Sequence, residues 1–296
     1  MLAAMNYGSP VIVARRRLTT LDHAPDIVGM TYVYPVVSRR AGGVSVGINL
    51  NPNNACNWRC AYCQVEGLVL GAGPEIDLAQ LEAELRAMLH DVVHGDFLAR
   101  SVPEGARALK DIAFAGNGEP TTSPDFGAAV DVVGRVLGDM GLLGQLPIVL
   151  ITNGTQVKKA EVAAGLSRLA ALGGEVWFKL DTATTEGMRR VNQAPGDPEA
   201  HVARLRAAAP LCPTWIQTCL VAWDGAPPSE AEQAAYLDVI RGLVRDRVPL
   251  RGVLLYSASR ASMQPEGEHV GRLDAEWLGA FAARIEEIGL RVRVTP

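Results

Sequence analysis

Residues 56–63 read Cys56-Asn-Trp-Arg-Cys60-Ala-Tyr-Cys63 and contain three of the five cysteines of the chain. Spacings of four and three residues allow three thiolates on one loop to converge on a single metal centre. An odd number of cysteines in a chain of 296 residues argues against a disulfide framework and favours a metal or redox site. We therefore expect this stretch to be a metal-binding loop that the rest of the chain positions.

The ligand set favours an iron–sulfur cluster over zinc. A structural zinc site needs four ligands, usually in two pairs that are well separated in sequence. The sequence has no second Cys-x-x-Cys pair and no histidine close to the three cysteines. Iron–sulfur clusters are normally held by four cysteines, so a loop with three would leave one iron of a [4Fe–4S] cluster open to an outside ligand. A zinc site and three cysteines without metal are the alternatives.

Apolar stretches of strand length alternate with amphipathic helical stretches from residue 44 onward. The predicted strands are 44–50, 111–115, 147–151, 175–180, 215–221, 253–256 and 291–294. Helices are predicted to start at Asp77, Ser123, Asp197, Ser229 and Asp274, and to cover 162–169 and 186–191. Strands separated by helices indicate a parallel sheet with right-handed crossovers. Six or seven such units are fewer than the eight of a closed barrel. We therefore expect an α/β fold with an open, partial (β/α)6 barrel.

The remaining sequence bounds the domains and the compartment. Residues 1–43 are expected to form a short N-terminal extension with an irregular strand at 31–37, and residues 44–296 the barrel domain. Composition is globular, with 48% apolar and 20% charged residues and a net charge of −4. No apolar run is long enough for a membrane span or a signal peptide, so we expect a cytoplasmic protein without a membrane partner. The candidates for an RNA-binding surface are Arg15, Arg16, Arg17, Arg39, Arg40, Arg189 and Arg190, with a solvated face as the alternative.

Polar residues follow the predicted strands at the point where each strand ends. Gly116-Asn-Gly-Glu-Pro120 follows the second strand, Asn153 the third, and Lys179 and Asp181 lie at the end of the fourth. Active sites of α/β barrels lie at the C-terminal ends of the strands, so these residues are candidates for a common site. Simpler interpretations stay open: Asn117 as a left-handed turn residue, Lys179 as a solvent-exposed lysine and Asp181 as a helix N-cap.

Cys56-x-x-x-Cys60-x-Tyr62-Cys63 resembles the CxxxCxΦC signature of the radical S-adenosylmethionine (radical SAM) superfamily. Gly116-Asn-Gly-Glu-Pro120 is similar to the Gly-Gly-Glu segment of that family, and the resemblance covers about residues 44–296. Asn49-Leu-Asn-Pro52 and the Tyr-Cys-Gln sequence at 62–64 look like bacterial Fe–S oxidoreductases that are grouped with wyosine-type tRNA-modifying synthases.

The resemblance implies two cofactors and a set of binding residues. Cys56, Cys60 and Cys63 would hold a [4Fe–4S] cluster whose fourth iron is chelated by the amino and carboxylate groups of S-adenosylmethionine. Tyr62 would lie against the adenine. The turn formed by Gly116, Asn117, Gly118, Glu119 and Pro120 would meet the methionine amino group, while Asn153, Lys179 and Asp181 would bind the ribose or the carboxylate. After the sixth strand, Arg260, with Ser257 and Ser259, is a further candidate for binding a carboxylate or phosphate of cofactor or substrate.

The resemblance also implies a reaction. A reducing partner such as flavodoxin or ferredoxin would supply one electron, and S-adenosylmethionine would be cleaved to a 5′-deoxyadenosyl radical that abstracts hydrogen from a substrate. The expected substrate is a tRNA or nucleoside. Alternatives are a peptide-modifying or glycyl-radical-activating enzyme, and a non-catalytic Fe–S or zinc protein. Wyosine synthases of the pyruvate-condensing type contain further N-terminal cysteines, whereas no cysteine precedes Cys56 here.

Two cysteines lie outside the loop, at opposite ends of the fifth predicted strand. Cys212 is expected at the bottom of the barrel as a structural residue. Cys219 is expected near the top, where it is a candidate catalytic hydrogen donor, with a buried small hydrophobic residue as the alternative.

Overall fold

The computed structural model describes residues 14, 17–19, 27–39 and 41–295 of the chain. The strands are β1 (Val33–Ser38), β2 (Gly43–Ile48), β3 (Ala55–Cys56), β4 (Val69–Leu70), β5 (Leu109–Phe114), β6 (Ile148–Thr152), β7 (Glu175–Lys179), β8 (Thr214–Leu220), β9 (Ala222–Trp223), β10 (Leu250–Ser257), β11 (Val270–Gly271) and β12 (Val292–Thr295). The α-helices are α1 (Leu78–His94), α2 (Phe97–Ser101), α3 (Phe126–Asp139), α4 (Ala160–Ala171), α5 (Thr185–Val191), α6 (Pro198–Ala208), α7 (Glu230–Arg245) and α8 (Ala275–Glu286).

The central sheet has the strand order β1-β2-β5-β6-β7-β8-β10-β12. β1 is antiparallel to β2, and every other neighbouring pair is parallel. Each of the strands β2, β5, β6, β7, β8 and β10 leads into helix before the next strand of the sheet. Within the described residues β1 and β12 are the two edges of the sheet, which curls into an open half-barrel. The predicted partial (β/α)6 barrel is confirmed.

The N-terminal strand belongs to this sheet. β1 pairs with β2 along its whole length, from Val33 opposite Ile48 to Ser38 opposite Gly43. The division that the sequence predicts between residues 43 and 44 therefore falls inside β2 and separates two paired strands. An apolar stretch before the first parallel strand indicates an element here, but the alternating pattern cannot show that this element pairs with the barrel.

Helix starts were predictable where a side chain caps the first turn. Asp77, Ser229 and Asp274 each accept a backbone N–H from the first turn of α1, α7 and α8. α3 differs from its prediction, because it begins at Phe126 rather than at Ser123. The Ser123 hydroxyl donates to a backbone carbonyl before α1 (3.0 Å), so a tertiary contact uses the residue that was expected to start the helix.

The helices are amphipathic. α1, for example, buries one stripe of Leu81, Leu85, Met88, Leu89 and Val92. Among the described residues, no helix is long and apolar enough to cross a membrane. The cytoplasmic location stays a prediction.

The two faces of the sheet differ in environment. On β7, Val176 and Phe178 are buried in the main hydrophobic core, while the alternate residues Trp177 and Lys179 are only partly buried. Because side chains alternate along a strand, one face packs under the helices and the other faces the interior of the half-barrel. Lys179 therefore reaches the inside of the barrel at the C-terminal end of its strand.

Candidate functional site

The cysteine loop, residues 56–63, follows β2 and contacts two other segments of the chain. Trp58 is buried and packs against Met188 of α5 and Ala194 just beyond it. The Ala61 N–H donates to the Val191 carbonyl (2.8 Å). These contacts attach the loop to the α5 side of the barrel.

A second segment, residues 260–266 after β10, holds the other side of the loop. The Ser262 hydroxyl donates to the Ala61 carbonyl (2.6 Å), and the Met263 N–H donates to the Cys63 carbonyl (2.9 Å). Arg59 forms an ion pair with Glu266 (2.8 Å). Arg260 donates to the Gln64 side chain (3.4 Å), which places it beside the loop, and its binding role stays a prediction.

The three thiols have nearby N–H donors. The Trp58 N–H donates to Cys56 Sγ (3.4 Å), and Asn192 Nδ2 donates to Cys60 Sγ (3.5 Å). Burial raises the pKa of Cys56 to about 12 and that of Cys60 to about 11. Burial also raises the pKa of Cys63, which N–H groups of the following backbone partly oppose.

The donor chemistry of the loop fits an iron–sulfur cluster. Three soft sulfur ligands on one loop suit iron or zinc, and N–H donors to the sulfurs are a feature of Fe–S sites. Over the described residues, no three His, Cys, Asp or Glu side chains are grouped closely enough to hold a metal ion. The assignment of Cys56, Cys60 and Cys63 as ligands therefore stays a prediction.

Asp181 lies at the centre of a buried polar cluster next to the loop. Its carboxylate accepts hydrogen bonds from Tyr62 Oη, from Asn192 Nδ2 (2.7 Å) and from the Cys219 N–H (2.8 Å). Thr184, rather than Asp181, caps α5, so the capping interpretation of Asp181 is wrong. Asn192 donates both to Asp181 and to Cys60, which links the carboxylate directly to the cysteine loop.

Lys179 supplies the positive charge of this cluster. Its Nζ lies 3.5 Å from Asp181 Oδ2 and 4.9 Å from the centroid of the Tyr62 ring. Burial alone would lower the pKa of Lys179, but Asp181 and other nearby acidic groups raise it above its ordinary value. The side chain is 15% exposed, so the interpretation of Lys179 as a solvent-exposed lysine is wrong. Burial and the Asp181 charge raise the pKa of Tyr62, which keeps its hydroxyl protonated as a donor.

Glu119 lies at the neighbouring strand ends and has a different set of partners. Its carboxylate accepts from the Thr121 N–H and hydroxyl (3.1 and 2.5 Å), the Thr152 hydroxyl (2.6 Å) and the Asn153 N–H (2.6 Å). Burial raises the pKa of Glu119, and these donors oppose the shift. The side chain thereby joins the turn at Gly116–Pro120 to the end of β6.

Asn153 connects β6 to the cysteine loop. Its Nδ2 donates to Asn57 Oδ1 (2.8 Å), and Asn57 Nδ2 donates in turn to the Thr155 hydroxyl (2.6 Å). The sequence predicted a role for Asn153 at this strand end but gave no sign of Asn57 or Thr155 as its partners.

The turn after β5 packs closely against the start of the loop. A Cβ on Gly118 would lie 2.0 Å from the Ala55 carbonyl oxygen, so only glycine fits there. Gly116 has a φ of 143°, which also favours glycine. Asn117 has no positive φ, so its interpretation as a left-handed residue is wrong. Its Nδ2 donates to Asn54 Oδ1 instead (2.6 Å). Pro120 begins a 3-10 turn behind these residues.

The two remaining cysteines lie at opposite ends of β8, as the sequence indicates. Cys219 packs with Val191, Tyr62 and Tyr256 under the loop, and burial raises its pKa. Cys212 lies before the strand in the main core. All five cysteines are free thiols.

Some expectations fall outside this cluster. The Ser257 hydroxyl donates to the Leu220 carbonyl (2.7 Å) and accepts a backbone N–H, which is a structural role. Arg190 pairs with Glu232 (2.5 Å) beside Trp223. Arg15, Arg16 and Arg40 of the predicted RNA surface lie outside the described residues.

A family model described as "Radical SAM superfamily" matches residues 50–235, a range that contains the cysteine loop and the Asp181 cluster. Among solved structures, the chain is similar to a radical SAM methyltransferase from Sphaerobacter thermophilus, with a TM-score of 0.55 and 17% identity over 86% of this chain and 66% of that one. It is also similar to TYW1 with a lysine-pyruvate adduct bound, with a TM-score of 0.54 and 15% identity over 83% of this chain and 74% of that one. At such identities the likeness shows the fold.

A curated protein called GTPase Obg, from Brachyspira hyodysenteriae, is 29% identical over 135 residues. The match covers 45% of this chain and 17% of that protein, so the chain spans about a sixth of the curated relative. None of the four lysines here follows a glycine, so the sequence lacks the Gly-Lys pair of a phosphate-binding P-loop. The matched segment is therefore not that nucleotide-binding motif.

Proposed function

The chain belongs to the radical SAM superfamily and is an enzyme of that superfamily, and we propose that it holds a [4Fe–4S] cluster on Cys56, Cys60 and Cys63. When bound, the reduced cluster supplies the electron that cleaves S-adenosylmethionine to methionine and a 5′-deoxyadenosyl radical, which takes hydrogen from the substrate. The observation that supports this best is the Asn192 amide, which joins Cys60 to the Asp181 carboxylate and so ties the loop to the strand ends.

The residues around the loop would bind and orient the cofactors. Lys179 and Asp181 present one positive and one negative group for the ribose or carboxylate of S-adenosylmethionine. Tyr62, whose hydroxyl is held by Asp181, would lie against the adenine. Backbone groups of the turn at Gly116–Pro120 would meet the amino group, while Glu119 and Asn153 fix that turn and the loop. Arg260 lies beside the loop and would bind an anionic group of cofactor or substrate.

The proposed substrate is a tRNA or nucleoside, held inside the half-barrel. The resemblance of Asn49-Leu-Asn-Pro52 and of residues 62–64 to the wyosine-type group supports this class. Cys219, which faces the barrel beneath the loop, is a candidate to donate a hydrogen atom to a substrate radical. A flavodoxin or ferredoxin would serve as the electron donor.

The deciding experiment is anaerobic reconstitution with iron and sulfide, followed by dithionite and S-adenosylmethionine. We expect about four irons per chain and 5′-deoxyadenosine detected by chromatography. Each of the variants Cys56→Ala, Cys60→Ala and Cys63→Ala should lose both readouts. Cys212→Ala is the matched control, because it removes a thiol outside the loop, and it should retain both. Bound zinc with no cleavage would refute the proposal, and a normally active single variant would refute the role of that cysteine.

A further inference from the structure

Gln217 lies in the middle of β8 and is 1% exposed. Neither its Nε2 nor its Oε1 has a hydrogen-bond partner among the described residues. Leaving a buried amide without partners is unfavourable, because the amide loses its hydrogen bonds to water on folding and gains none. Such a group in the interior of a site is suited to a polar ligand that supplies the missing bonds.

The side chain of Gln217 lies on the inner face of the barrel. The next residue, Thr218, hydrogen-bonds Tyr236 of α7 (2.7 Å), and Ile216 belongs to the core under the helices, so both point outward. Because side chains alternate along a strand, Gln217 shares the opposite face with Cys219. Cys219 packs against Tyr62 of the cysteine loop, which identifies this face as the one beneath the loop.

The depth of Gln217 suits a substrate held beside Lys179 and below Asp181. In the sheet register, Gln217 lies opposite Lys179 on β7 and Leu254 on β10. It precedes Cys219 by two residues, which is about 7 Å along the strand. The amide is thus level with Lys179 and one inward-facing position below Cys219, whose N–H donates to Asp181, on the side away from the cysteine loop.

In the sheet register, an aromatic residue belongs to the next inward-facing pair below Lys179 and Gln217. Trp177 is on the same inner face of β7, two residues before Lys179, and is only partly buried although β7 is a central strand. Its indole is fixed by a hydrogen bond from Nε1 to Glu175 (2.8 Å). Planar side chains next to hydrogen-bonding amides are the combination with which proteins bind unpaired bases.

We propose that Gln217 binds the edge of a nucleobase in the substrate, with Nε2 donating to a ring or carbonyl acceptor and Oε1 accepting from an adjacent N–H. An amide presents a donor beside an acceptor, and base edges present the complementary pair. This inference rests on the proposed function, since it names the residue that reads a nucleoside substrate.

The test measures nucleoside binding by calorimetry on the reconstituted full chain with S-adenosylmethionine and no reductant. Adenosine, guanosine, cytidine and uridine are the probes. We expect at least one to bind, and Gln217→Met to weaken that binding about 5- to 100-fold, the range for losing a bidentate contact. Equal binding by wild type and Gln217→Met, or no binding of any probe to wild type, would overturn the inference.

Two controls separate this outcome from others. Gln233→Met removes a buried amide that is already paired, with the Pro228 carbonyl and Arg284, so it should lower the melting temperature. Gln217→Met should not lower it, because methionine matches the shape of glutamine and removes an unpaired group. A lowered melting temperature would instead indicate an amide satisfied by buried water and would contradict the inference. Formation of 5′-deoxyadenosine by wild type is measured in parallel, so a failure of the proposed function is recognised separately.

Discussion

Two buried carboxylates, Glu119 and Asp181, lie at neighbouring strand ends of the half-barrel but have partners of different chemistry. Within the part of the chain that the structure describes, Glu119 accepts only from neutral donors of its own turn and of the end of β6. Asp181 adds a cation, Lys179, and reaches the cysteine loop through Tyr62 and Asn192. The first arrangement fixes backbone, whereas the second places paired charges beside a set of thiols. Perturbed charges in a cleft are typical of functional sites, so the Asp181 region is the better candidate for chemistry.

Removal of the Lys179 charge should lower the free energy of unfolding more than any other change in these two regions. Lys179→Met leaves Asp181 buried without its positive partner, and breaking a buried pair in this way costs about 3 kcal/mol or more in unfolding free energy. Urea unfolding measures the loss. Lys158→Met, at an exposed lysine, is the matched control and should change stability by less than about 0.5 kcal/mol.

A second substitution tests whether charge is the cause. Asp181→Asn combined with Lys179→Met removes both charges, and the double variant should be more stable than Lys179→Met alone. If Lys179→Met itself unfolds like wild type, the ion pair contributes nothing to the contrast between the two regions.

His201 contacts the strand end that carries Lys179 and makes the stability of this region depend on pH. Its Nε2 lies 2.7 Å from the Lys179 carbonyl, and burial lowers the pKa of His201 to about 4. The unfolded chain binds a proton below about pH 6.5, whereas the folded chain does not until about pH 4. The contribution of His201 to the free energy of unfolding is therefore complete above pH 6.5. It decreases as the pH is lowered, by roughly 2–3 kcal/mol at pH 4.5.

His201→Gln should flatten that fall, because the glutamine Nε2 can still donate to the carbonyl but does not titrate. The measurement is urea unfolding at pH 7, 5.5 and 4.5. His90→Gln, at an exposed histidine of α1, should keep the wild-type profile. Parallel loss of stability in wild type and His201→Gln would mean that other groups set the pH dependence.

Local chemistry explains which of these features the sequence could predict. Asp77, Ser229 and Asp274 cap their helices through residues three positions away, so a short pattern is enough. Lys179 and Asp181 were identifiable because polar residues ended an apolar strand. The contact of Asn192 with Cys60 joins residues 132 positions apart, and no local pattern indicates it.

Two other residues show different reasons for a missed or mistaken prediction. Ser123 has the signature of a helix start, but a distant carbonyl takes its hydroxyl. Gln217 is the single amide of a buried strand, which the sequence shows. Its importance could not be predicted, because only the fold shows which face of that strand is interior. Sequence periodicity thus predicts the scaffold well, while the partners of buried polar groups depend on tertiary structure.

Compared with the effects predicted for Lys179 and His201, substitution of Glu119 should change the free energy of unfolding least, because the partners of Glu119 are neutral. Glu119→Gln keeps the shape but directs an N–H group at donors, most seriously at the Asn153 N–H, which lies 2.6 Å from Oε2. One donor or two then lack an acceptor, which costs about 1–3 kcal/mol by urea unfolding. Glu287→Gln, at an exposed carboxylate, is the control and should stay within about 0.5 kcal/mol of wild type. If Glu119→Gln were more harmful than Lys179→Met, the Glu119 region would be more than a backbone anchor and its carboxylate charge would have to be assigned a role in the site.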